Sequence, residues 1–172
     1  MTEWLNPTEQ RAWRALVALT TRLPAAMDTQ LQREAGMTHF EYFVMALLSE
    51  QPGHRLQLNE LAAKANASLS RLSHVITKLE RLGWARREVV RGRRGASAVL
   101  TDAGYRQWDK ATPSYLEGVR GLVFDGIDDH QIDQLLTLCR ALVAQLDAGL
   151  SRGIGRTDGL PDPAEPAAST SN

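Results

Sequence analysis

The chain has 172 residues, 43% of them hydrophobic, with twenty Lys/Arg balanced by twenty Asp/Glu. That length suits one compact domain, or one domain with an appendage. The single cysteine, Cys139, excludes an internal disulfide framework, and no stretch approaches the roughly 20 apolar residues of a membrane span. The opening "MTEWLNPTEQ" carries acids and no apolar run, so it does not read as a signal peptide, and a soluble, cytoplasmic protein is expected.

The first element starts at Asn6, a capping residue followed by Pro7 and, three positions on, Glu9. Trp13, Leu16, Val17 and Leu23 follow at helical spacing. Pro24 is expected to kink or interrupt this helix, which resumes through Met27 and Leu31 and stops at Gly36. "THFEYFVMALLSE" repeats the grammar, with Thr38 and Glu41 as a capping box and Phe40, Phe43, Val44 and Leu47 as the buried stripe. "QPG" ends it, "RLQL" (55–58) reads as a very short strand, and Asn59 is expected to cap a short helix.

Ser68 opens the next helix, whose apolar set is Leu69, Leu72, Ile76, Leu79 and Leu82, and Gly83 stops it. "WARREVV" and "ASAVL" are strand candidates around a loop holding Arg91, Arg93 and Arg94. Thr101 caps a long helical region running to about Phe124, bent at Pro113. Asp128 or Asp129 caps a last helix, and residues 151–172, small, polar and rich in Pro and Gly, read as a disordered tail. The whole is mostly α with a small antiparallel β wing.

Helix, turn, helix, strand, turn, strand is the order of a winged helix-turn-helix. The charge distribution supports it. Residues 54–100 hold ten Lys/Arg against three acids, and the rest of the chain ten against seventeen. A basic block in an otherwise acidic chain suggests a polyanion-binding face, here double-stranded DNA. The major groove admits one helix that is polar outside and apolar inside. Opposite the leucines lie Ser70, Arg71, His74, Thr77, Lys78 and Arg81, one face of one helix. The open N–H groups near Ser68 would attract a phosphate. Arg91, Arg93 and Arg94 would reach the minor groove or phosphates, with Gly92 and Gly95 letting the loop turn. Arg86 and Arg87 at the hairpin base alternate, so one of the two is expected to face DNA.

The run "LQLNELAAKANASLSRLSHVITKLERLGWARRE" to "GRRGASAVLTDAG" resembles the MarR family of bacterial transcription regulators, over roughly residues 8 to 150. The resemblance implies a homodimer. Helices within 1–36 and 102–150 would form the dimerisation domain, and 37–101 the winged helix-turn-helix that reads half of a pseudo-palindromic operator. It also implies a ligand-responsive repressor. Aligned on Leu100-Thr101, the family's Asp-Arg-Arg wing tip becomes Gly92-Arg93-Arg94, which makes Arg94 the minor-groove arginine. The bracing aspartate is missing, and Glu88 is the acid nearest in sequence.

The wide apolar stripe of the last helix (Ile132, Leu135, Leu136, Leu138, Leu142, Val143, Leu146) independently argues for a partner helix. Trp13, His39, Tyr42, Phe43, Met45 and Trp108 are candidates to line a cleft for a small aromatic effector, although for any single one of them a plain core role is the better reading. Cys139 reads as an inert buried thiol. The four histidines show no ligand spacing, so neither a metal nor a cofactor is expected. No nucleophile–base order or phosphate loop stands out, which argues against an enzyme. The alternative is a winged helix used as a protein-interaction module that does not bind DNA.

Overall fold

The computed structural model describes residues 3–89 and 95–154. The chain divides into two compact units, Met1–Gly126 and Ile127–Asn172. In the first, α1 spans Pro7–Ala35, α2 His39–Ser49, β1 Arg55–Gln57, α3 Leu58–Lys64, α4 Leu69–Arg81, β2 Ala85–Val89, β3 Ala96–Leu100 and α5 Asp102–Leu122. The described fold is mostly helical, a winged helix-turn-helix whose three strands run antiparallel in the order β1-β3-β2.

The caps form as their residue types require. Asn6 and Glu9 close a capping box on α1, and Thr38 and Glu41 close another on α2. Ser68 accepts the Arg71 N–H at 3.1 Å. Gly36 ends α1 in the left-handed region at φ 66°, which glycine adopts without steric cost. One cap is displaced. α3 begins at Leu58, with Gln57 as its cap residue and no side-chain bond, so Asn59 lies inside the first turn. β1 pairs with β3 through Gln57, opposite Ser97, and the helix starts as soon as that pairing ends. Neither proline interrupts its helix: α1 runs through Pro24 and α5 through Pro113.

The core is built where α2, α4 and the sheet meet. Leu72, Ile76 and Leu79 of α4 are fully buried against Val44, Met45 and Leu48 of α2 and Leu61 of α3. Burying each such side chain contributes about 1.5–3 kcal/mol. The outer members of the α4 stripe are different: Leu69 and Leu82 are 48% and 45% exposed, because they lie at the helix ends beyond the core. The α2 stripe is also rotated from expectation. Tyr42, Val44, Met45 and Leu48 are its buried apolar residues, while Phe40, Phe43 and Leu47 are only partly covered.

β3 enters α5 through one residue. The Thr101 N–H donates to the Trp84 carbonyl at 3.0 Å. Its hydroxyl donates to the Gly83 carbonyl at 2.7 Å and accepts the Gly104 N–H at 3.0 Å. Gly104 sits so close that a Cβ there would lie 2.0 Å from the Trp84 carbonyl oxygen. Farther along, α5 packs on α1, where the Gln30 amide donates to the Ser114 carbonyl at 2.9 Å.

The second unit holds α6, Asp129–Ser151, capped by Asp128 with Gln131. Of its residues only Gly149 is buried. Leu138, Leu142, Val143 and Leu146 are exposed, as is Cys139, against the expectation of a buried thiol. Ser151, the first residue of the expected tail, is still helical, and residues 155–172 lie outside the described residues. Among the described residues, no helix is long and apolar enough to cross a membrane.

Gly104→Ala is expected to lower stability by about 1–3 kcal/mol, since backbone must move to admit the methyl. Gly121→Ala, on the same helix with open space at its Cβ, is expected to raise stability by up to about 1 kcal/mol. Denaturant melts of the two variants check this contrast.

Candidate nucleic-acid interface

The leucine stripe of α4 turns a polar face outward. Ser70, Arg71, His74, Thr77 and Arg81 are all exposed on it, together with the capping Ser68. These residues and Lys78 line the outer face together, along a shallow groove of about 540 Å³ that includes Ser70, His74, Thr77, Lys78 and Arg81. The helix is therefore amphipathic in the sense a groove reader needs. Arg91, Arg93 and Arg94 lie outside the described residues.

Several of these side chains have partners that the sequence did not disclose. The Arg71 guanidinium lies over the Phe40 ring, 4.1 Å from its centroid, a cation–π contact that holds an otherwise mobile side chain. The Lys78 ammonium pairs at 2.6 Å with Glu41, whose side chain is only 5% exposed. Glu41 thus serves twice, receiving the Thr38 N–H at 3.0 Å with its other oxygen. A buried carboxylate requires such partners, so Lys78 is committed to the protein before any ligand arrives.

The hairpin base is equally committed. Arg87 points at α4: its guanidinium pairs with Glu80 and bonds to the Ser73 carbonyl at 2.9 Å, Ser73 Oγ at 3.1 Å and Thr77 Oγ1 at 3.0 Å. The Arg87 backbone N–H also reaches Glu80, at 2.7 Å. Arg86, on the opposite face of β2 as alternation requires, pairs with Glu88 at 2.7 Å. Glu88 pairs with Arg55 of β1 as well. Bonding to Arg86, aided by the charge of Arg55, holds the Glu88 carboxyl below the usual carboxylate range. Glu88 therefore braces the sheet. Of the seven Lys/Arg described between residues 54 and 89, four are in ion pairs. Lys64, Arg71 and Arg81 have no ion pair with another described residue.

The effector-site candidates separate into groups. His39, Tyr42 and Trp108 come together with Tyr115, a residue the sequence reading missed. Tyr42 stacks on Tyr115 at 4.0 Å and on Trp108 at 6.4 Å, and His39 meets Tyr115 edge-on at 5.8 Å. The Tyr42 hydroxyl lies 3.0 Å from Thr112 Oγ1. Two buried nitrogens here, His39 Nδ1 and Trp108 Nε1, have no hydrogen-bond partner among the described residues. Phe43 packs at the rim, 6.5 Å from His39. Met45 is wholly buried core. Trp13 stands apart on α1, lining a shallow surface groove with Val17 and Arg22. Tyr115 falls two helical turns past Trp108 and across Pro113, where the expected bend obscured their common face.

Burial lowers the His39 imidazole below its ordinary value, with the Asp28 charge acting weakly the other way. Burial raises both Tyr42 and Tyr115. Among the described residues no group of His, Cys, Asp and Glu is arranged to hold a metal.

A sequence model of the MarR family matches residues 37–89, the stretch from α2 through β2. The chain is 36% identical to Sco3205, a MarR family transcriptional regulator from Streptomyces coelicolor whose crystal structure is in complex with DNA. The match covers 92% of this chain and 94% of that one, with a TM-score of 0.79. AbsC, another MarR family transcriptional regulator of Streptomyces coelicolor, is 33% identical over 86% of this chain and 99% of its own, with a TM-score of 0.80. CouR from Rhodococcus jostii RHA1, crystallised with p-coumaroyl-CoA, is 23% identical over 74% of this chain and 88% of its own. Its TM-score is 0.64, and it shares the fold alone. No curated protein matches the chain.

Two outcomes follow from these contacts. Lys78→Met strands the Glu41 carboxylate and is expected to cost about 1–3 kcal/mol, the lower range because the ammonium is 37% exposed. In the Glu41→Gln background, which keeps the capping box, the same substitution should cost much less in denaturant melts. The second outcome concerns acid. His39 in the unfolded chain takes up a proton near pH 6.5, whereas in the folded protein burial defers that uptake to lower pH. Its contribution is nil above that pH and destabilising below it. His39→Phe should therefore lose less stability than wild type between about pH 7.5 and 5.5, and equal losses would contradict the assignment.

Proposed function

Because this chain belongs to the MarR family of transcriptional regulators, we propose that it binds double-stranded DNA sequence-specifically, as a homodimer, and represses transcription from the site it covers. The observation that carries this reading is the exposed face of α4, with Ser70, Arg71, His74, Thr77 and Arg81 backed by fully buried Leu72, Ile76 and Leu79. A relative 36% identical over nearly the whole chain was crystallised on DNA.

In this reading α4 enters the major groove. Arg71 and Arg81 contact guanine edges or phosphates, and Ser70, His74 and Thr77 contact bases and backbone. Ser68 and the first N–H groups of α4 receive a phosphate. Lys78 stays with Glu41, which offsets its charge, and holds α4 in place rather than contacting DNA. Arg94 enters the flanking minor groove, with Arg91 and Arg93 on phosphates.

Residues 1–36 and 102–150 form the dimerisation domain. The exposed leucines of α6 need a cover, and a two-fold pair places two α4 helices one turn of DNA apart. A small aromatic molecule acts as the effector. It would displace the Tyr42–Tyr115 stack and accept a hydrogen bond from Trp108 Nε1, with His39 beside it. The protein works in the cytoplasm, without a cofactor or metal, and as a regulator rather than an enzyme.

Binding to duplexes from the DNA flanking its own gene tests the reading. The log–log dependence of affinity on salt should have a slope of about −5 or steeper. Arg71→Ala should cost about 1–3 kcal/mol and relax base choice at one position in each half-site. A flat salt response, with capture of an acidic protein instead, would favour the protein-interaction alternative.

A further inference from the structure

The clamp from β2 onto α4 does more than fasten a helix. A threonine hydroxyl has one proton and two lone pairs. In a helix it populates two rotamers, one of which bonds back to the carbonyl four residues earlier. Thr77 is in that rotamer, donating to the Ser73 carbonyl at 2.9 Å. Arg87 Nη2 donates onto the same Thr77 oxygen at 3.0 Å while also bonding the Ser73 carbonyl and hydroxyl. The guanidinium cannot drift, because Glu80 grips both its other arm and the Arg87 backbone N–H. The Thr77 proton and one lone pair are therefore occupied inside the protein. What remains free on that oxygen is one acceptor lone pair, on an exposed residue in the middle of α4.

We propose that Arg87 is a positioning residue for base recognition: by fixing the Thr77 hydroxyl it makes Thr77 an acceptor only, so that each half-site carries an exocyclic amine, from adenine or cytosine, opposite Thr77. In the major groove adenine N6 and cytosine N4 are the donors, whereas guanine O6 and thymine O4 are acceptors that a proton-committed hydroxyl cannot satisfy. This deepens the proposed function and rests on α4 being the helix that reads the groove.

The experiment is selection from a randomised duplex library by the full chain, followed by binding to the enriched duplex and its single-base variants. Wild type should prefer adenine or cytosine over guanine and thymine by about threefold to tenfold at one position per half-site, the range of one net hydrogen bond. Arg87→Lys keeps the charge, but its single ammonium nitrogen replaces the two guanidinium nitrogens that hold Glu80 and Thr77 at the same time. It should lose that preference while keeping the other positions and the salt slope. Thr77→Val, which keeps the shape without the oxygen, should lose the same preference, and the double variant should lose no more than either.

Retention of the preference by Thr77→Val overturns the proposal without any need for Arg87→Lys to fold. Uniform weakening at every position by a folded Arg87→Lys also overturns it, since a merely structural clamp would do that. Failure of wild type to enrich any sequence overturns the DNA reading itself, and is separable because the variants need not be made.

Discussion

Burial alone does not aim a helix. The pull of Leu72, Ile76 and Leu79 into the core is strong but non-directional, and it would tolerate α4 rolling or sliding by a fraction of a turn. Directional contacts remove that freedom. Arg71 rests on Phe40 near the start of α4, Lys78 is held by Glu41 in the third turn, and Glu80 with Thr77 and Ser73 is held by Arg87. Two anchors come from α2 and one from the sheet, so the polar face is fixed from both flanks. A reader of base edges depends on that rotation, because a change of one residue in the outward set replaces every contact it makes.

The same contacts change what the basic block means. Counting charges between residues 54 and 100 suggests a broad positive surface. In the folded chain Glu41 arrives from α2 to neutralise Lys78, and Glu80 and Glu88 take up Arg87, Arg86 and Arg55. Positive potential is thereby concentrated on fewer side chains, Arg71 and Arg81 among them. Much of the basic character is structural, holding the hairpin to the helix and the strands to one another.

How far all this could be read in advance follows from distance along the chain. Caps join residues three apart, and Asn6, Thr38, Ser68, Thr101 and Asp128 all cap as their types imply. The stripe of α4 repeats every three or four residues and is equally plain. Asn59 misled because a strand pairing, settled forty residues away at Ser97, decided where α3 begins. The partners of Lys78 and the meeting of Tyr42 with Tyr115 lie 37 and 73 positions apart, and nothing local encodes them. Arg87 shows the intermediate case: alternation correctly set it opposite Arg86, but not that it turns inward to serve Thr77.

The passage from β3 into α5 has a mechanical consequence. Thr101 is the sole residue between strand and helix, and its N–H and hydroxyl are both engaged while Gly104 lies against the Trp84 carbonyl. Such a joint has no slack, since there is no loop in which a rotation could be absorbed. The 21 residues of α5 extend about 31 Å, so strand and helix make a welded bracket with a long arm. A push at the far end of that arm, whatever delivers it, arrives at the hairpin as displacement rather than being lost as local flexing.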